Sequence, residues 1–281
     1  MINYIKSSFS KDSLLGSILF FLVLSSWYVL RPVRNEMAVS NVDELPILLA
    51  AGAIAMLLVN PIYSWMASKS NLKKIILFCY SFLIMNLILF IFSWKFLGLG
   101  GSLWLGRIFY VWCNIYSFFV VSIFWVLIIN LFRDSNRRSF YGVIMAGGSV
   151  GALFGSEISK RFSTSFNELG LELFTLSAAF LLFLAMLLAL YMLSKFQRDA
   201  NLTLSNVGGG GFDAIKNSLK VDEIRNIASY VWIWTALMTI QWITAISIVE
   251  EWSQNSEQRI RFFAIVEQVI SPLTLIVQLF F

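Results

Sequence analysis

Apolar residues in this 281-residue chain come in long blocks, not in the alternating pattern of a helix half exposed to water. Eight blocks can be read, over residues 13–30, 45–67, 75–94, 103–132, 140–158, 173–193, 227–249 and 262–281. Each is close to the ~20 residues that carry a helix across a hydrocarbon layer. The period-two alternation of a membrane barrel is absent. The pattern therefore predicts an all-α membrane protein of about eight transmembrane helices.

The end of the first block changes the picture. Residues 28–37 read YVLRPVRNEM, so Tyr28 is followed by Arg31, Arg34 and Glu36. If the helix runs on to Val39, these charges lie within the hydrocarbon slab. An arginine there costs ~2.5–3.5 kcal/mol on the lenient insertion scale, and such residues commonly line a pathway or hold a ligand. We expect the helix to continue, with Arg31, Arg34 and Glu36 in the outer half of a central cavity. Arg107 and Asn114 in the fourth block, and Glu267 and Gln278 in the eighth, are further candidates for that cavity.

Composition agrees with the pattern: 58% of residues are hydrophobic and 13% charged, with a mean hydropathy of +0.77. Net charge is +5, and its distribution matters more than its size. With the amino terminus inside, the inner segments hold Lys6, Lys11, Lys69, Lys73, Lys74, Arg133, Arg137, Arg138 and the five basic residues between 195 and 225, thirteen of the 21. The positive-inside rule then predicts a cytoplasmic amino terminus. Short basic loops at a membrane surface account for the charge, so no nucleic-acid partner is expected.

Spacing between blocks suggests three parts: a six-helix bundle over 1–194, a cytoplasmic linker over 195–225, and two further helices over 226–281. The linker holds the run Gly208 to Gly211, which reads as a joint, followed by a short interfacial helix. Six helices, a linker and more helices is the layout of a two-bundle transporter with a midplane site. Phe281 ends an apolar block, and eight helices fall short of two bundles of six. The expectation is a truncated chain, against a natural eight-helix protein.

Other motifs carry packing rather than chemistry. Gly147, Gly151 and Gly155 recur every four residues, the small-xxx-small arrangement by which membrane helices approach closely. Cys79 and Cys113 fall inside apolar blocks and imply no disulfide framework. There is no histidine and no cluster of metal-ligand type, so neither a cofactor, a metal nor an enzymatic reaction is expected.

Three segments together, and a fourth to which the likeness extends, resemble a known family. They are YVLRPVRNEM from Tyr28, FYVW from Phe109 with VSIFW from Val121, RSFYGVIMAGGSVG from Arg138, and RFFAIVE from Arg261 to Glu267, with Gln278 beyond. They are similar to bacterial nucleotide translocases, the ATP:ADP antiporter-like proteins related to the major facilitator superfamily. That resemblance implies a twelve-helix antiporter in a bacterial inner membrane, of which this chain would hold helices one to eight. It also implies exchange of nucleotides by alternating access, with Arg31 and Arg34 on phosphate oxygens and Glu36 as their neighbour. Guanidinium groups suit that task, because their planar donors match phosphate oxygens in pairs. Residues alone leave two other expectations open: a proton-coupled transporter of a non-phosphorylated solute, with Glu36 or Glu267 carrying the proton, and a non-transporting remnant.

Overall fold

A computed structural model describes residues 11–69, 71–97, 102–132, 140–200 and 222–280. The described residues form helices and no strand, and eight of the helices are long and apolar enough to cross a membrane. In chain order they are α1 (Lys11–Val39), α2 (Leu45–Lys69), α3 (Leu72–Lys95), α4 (Leu103–Leu131), α5 (Phe140–Phe162), α6 (Glu172–Ala200), α7 (Asp222–Trp252) and α8 (Ser256–Phe280). The chain is thus an all-α, multi-pass membrane protein in contact with the bilayer. The glycine run 208–211, the interfacial helix and the basic loop at 133–138 lie outside the described residues.

Helix boundaries exceed the apolar blocks where polar side chains find partners. α1 runs through Arg31, Pro32, Arg34 and Glu36 to Val39 as one helix. Proline 32 removes one backbone donor, a loss that membrane helices tolerate when neighbours re-satisfy the freed carbonyl. α8 begins at Ser256, six residues before its apolar block, because Arg259 in its first turn is buried against a carboxylate. Asn71 caps α3, its side-chain oxygen accepting from the Lys74 backbone N–H at 3.1 Å.

α1 is the central element, packed by α4, α5, α6 and α8. Its closest neighbour is α5, and glycine makes that approach possible. A Cβ on Gly147 would collide with the Ser17 carbonyl, one on Gly151 with the Phe21 carbonyl, and one on Gly155 with the Ser25 carbonyl. Both helices advance in steps of four, so their backbones lie against each other along three turns. The Ser25 hydroxyl donates to the Gly151 carbonyl at 3.1 Å across this seam.

Aromatic and hydroxyl groups fix the other faces of α1. Phe20 stacks on Phe124 of α4 with ring centroids 4.2 Å apart. Ser26 pairs with the Tyr116 hydroxyl and donates to the Ala178 carbonyl at 2.8 Å, joining α1 to α4 and α6 at one point. Gly170, in the turn before α6, has φ +58°, and a Cβ there would strike the Trp94 indole. Cys79 and Cys113 are free and buried.

Outward faces are apolar. Leu57, Phe78 and Phe180 are each 60% exposed or more, which is the surface a helix presents to lipid. α7 is the least buried span: Ile246 and Val249 are its buried residues, and Trp232 is 75% exposed.

Candidate functional site

Between α1, α2, α4 and α7 lies a cavity of about 490 Å³. Leu49, Gly52, Ala53 and Met56 of α2 form one wall, Tyr110 and Asn114 of α4 another, and Trp234, Met238 and Trp242 of α7 a third. The small residues of α2 are what leaves the space open. A Cβ on Gly52 would already stand 3.5 Å from the Asn114 amide nitrogen.

Among the described residues lining this cavity, Arg34 is the only charged one. Its Nη1 donates to Asn114 Oδ1 at 3.0 Å, and its Nη2 and Nε donate to Asn35 Oδ1 at 2.7 and 3.3 Å. These acceptors are neutral amides, and among the described residues no carboxylate lies within ion-pair distance of Arg34. Three rings surround the guanidinium instead: Trp242 at 5.5 Å, Trp27 at 5.6 Å and Tyr110 at 5.9 Å. Ring faces attract the cation without cancelling its charge. Orientation is therefore supplied by the amides and rings, and the positive charge remains available to an anion.

Arg31 lies one turn away and faces α8. Its Nη1 donates to Glu267 Oε2 at 2.9 Å and to the Tyr28 hydroxyl at 3.1 Å, with its carbon 5.2 Å from the Tyr28 ring centroid. Arg31, Tyr28 and Glu267 form one cluster beside the cavity, not within its wall.

Three expected cavity residues lie elsewhere. Glu36 does not partner Arg31 or Arg34. It accepts from Arg259 Nη2 at 2.6 Å and Nε at 2.7 Å, and from Ser40 at 2.8 Å, fully buried where α1 ends against the start of α8. We call this end of the bundle the distal end. Arg107 also belongs to it: it donates to Asn41 at 2.8 Å, meets Glu44 at 3.4 Å and lies 4.9 Å from the Trp104 ring centroid. Gln278 accepts from Ser149 at 2.7 Å and ties α8 to α5. Each departure has the same cause, since spacing along one helix does not say which neighbour a polar side chain meets.

Sequence reasoning missed Arg259, Asn35, Tyr110 and Trp242. Arg259 precedes the eighth apolar block and resembles an ordinary flanking charge. Tyr110 and Trp242 stack with centroids 6.1 Å apart, but as aromatics in apolar helices they carry no signal until the fold brings them over Arg34.

No protein-family model, curated protein or solved structure matches the chain.

Proposed function

We propose that the protein is a secondary transporter that moves an organic anion, in particular a phosphorylated metabolite such as a nucleotide, by alternating access. The observation that carries this reading is Arg34, a permanent cation held by neutral amides at the wall of a cavity between membrane spans. A fixed charge at that depth is costly without a partner, and an anionic cargo is the partner that relieves it. Alternating access works by moving one group of helices against another around a central site, and this cavity lies between α7 and the helices α1, α2 and α4. Rings of Tyr110 and Trp242 beside the guanidinium suit a cargo with a flat apolar part. In this reading the membrane is a bacterial inner membrane, the amino terminus is cytoplasmic, and exchange or an ion gradient drives movement.

Reconstitution tests it. The full-length protein in liposomes loaded with ADP is expected to take up labelled ATP in a saturable manner. A hydrogen bond to a charged partner is worth about 1.5–3 kcal/mol, so Arg34→Ala should lower uptake about ten- to hundredfold. If neither ATP nor another phosphorylated solute exchanges, the cargo is wrong. If Arg34→Ala transports at the wild-type rate, the site is wrong.

A further inference from the structure

Two ion pairs cross the α1–α8 interface, and they are built differently. Arg259 grips Glu36 with two nitrogens and also donates to the Ser253 carbonyl at 3.2 Å and to Ser40 and Ser256 at 3.3 and 3.4 Å. Side chains of both residues are nearly inaccessible, at 6% and 1%. Such a pair is closed to any third party.

Arg31 uses a single nitrogen for both of its bonds, leaving Nε and Nη2 without a hydrogen bond among the described residues. Its side chain is 32% exposed, while that of Glu267 is 6% exposed. The open edge of Arg31 is thus partly exposed, while the carboxylate behind it is almost wholly covered as long as Arg31 stays in place. Glu267 has no hydrogen-bond partner other than Arg31 among the described residues.

We propose that Glu267 couples anion transport to proton transport: cargo that engages the free edge of Arg31 draws the guanidinium away, and Glu267 then takes up one proton. This rests on the anion-transport reading and adds its coupling ion. A buried carboxylate stripped of its cation carries a large desolvation penalty as an anion and a small one as a neutral acid. Protonation forms one O–H bond on Glu267, with the proton drawn from water on the side of entry, and no bond of the cargo changes. When the cargo leaves, Arg31 returns and the proton departs.

The surrounding charges leave Glu267 to Arg31. From α1 it faces Arg31, with Tyr28 and Arg34 next to that residue. From α5, Glu157 and Lys160 meet the adjacent Gln268 at 2.6 and 3.3 Å. The turn after α5 carries the exposed Glu168, and the nearest charged neighbours on α8 are Arg259, already paired, and the exposed Arg261.

Liposomes holding the full-length protein and no internal nucleotide, with the membrane potential clamped at zero, provide the test, because net uptake, unlike one-for-one exchange, moves a net proton. With pH 7.0 outside and 8.0 inside, wild type should accumulate labelled ATP above its uptake at symmetric pH, towards the about tenfold limit for one proton per anion and one pH unit. Glu267→Gln, a neutral stand-in for the protonated acid, should lose the response to the gradient, read as its uptake under the gradient divided by its own uptake at symmetric pH. Wild-type exchange with no response to the gradient overturns the coupling and spares the anion site. A gradient response that survives in Glu267→Gln overturns the assignment to this residue. Absence of any ATP exchange in wild type overturns both readings. The wild-type gradient measurement decides the coupling even if the variant does not fold.

Discussion

At the scale of single residues, the decisive contrast is between the buried charges of Glu36 and Arg259, which cancel, and that of Arg34, which has no ion-pair partner among the described residues. Glu36 and Arg259 neutralise each other inside the protein, so removing one partner strands the other. Arg259→Met is expected to destabilise by about 3–5 kcal/mol, and Glu36→Met with Arg259→Met to recover most of that loss. Thermal unfolding in detergent checks this, and equal losses in the single and double variants would refute it. Arg34 is the uncancelled charge, oriented by Asn114 at 3.0 Å. Asn114→Asp keeps the shape and supplies an internal counter-charge, so anion uptake should fall about tenfold or more while the melting temperature holds or rises. An unchanged uptake would mean that the charge of Arg34 is not what the cargo meets. Sequence alone singled out Arg34 because a charge within an apolar block is anomalous. It could not separate Arg34 from Glu36, because cancellation depends on residue 259, more than two hundred positions away.

At the scale of elements, the α1–α5 seam explains why one face of α5 is nearly bare of side chains. Gly151→Leu must force the α5 backbone away from the Phe21 carbonyl. Overpacking of this kind costs about 1–3 kcal/mol where the structure can yield and prevents folding where backbone meets backbone. Gly142 lies on the same helix with nothing within 4 Å of its added Cβ, so Gly142→Ala should be neutral or slightly stabilising. Folded yield after size exclusion compares the two directly, and equal behaviour would dismiss the seam. The four-residue glycine period was legible in the sequence, since a helix places such positions on one face. Its partner was not, because Ser17, Phe21 and Ser25 contribute backbone carbonyls, which every residue has.

At the scale of the whole molecule, topology follows from eight spans and the distribution of basic residues. Asn255 lies exposed in the turn between α7 and α8, at the distal end. With a cytoplasmic amino terminus that turn faces outward, and Asn255→Cys in intact cells should react with a membrane-impermeant maleimide. The native Cys79 and Cys113 are buried and should stay silent, giving a clean background. Labelling only after the cells are opened would invert the orientation. The same scale explains α7, whose Ile227, Tyr230 and Trp232 are exposed while Trp242 reaches Tyr110 and lines the cavity beside Arg34.

Class, number of spans and the anomaly of a charged first helix were all determined by the sequence alone. These properties depend on local hydropathy and length, which the membrane reads one segment at a time. Tertiary structure decided the rest: that Glu36 locks the distal end with Arg259, that Arg31 leans on Glu267, and that Arg34 brings its charge to the cavity. Apolar periodicity puts a residue on a face, but most of a central helix such as α1 is covered by neighbours, Leu14 and Ile18 being exposed. Which neighbour covers it, and with what charge, is settled only when the helices pack.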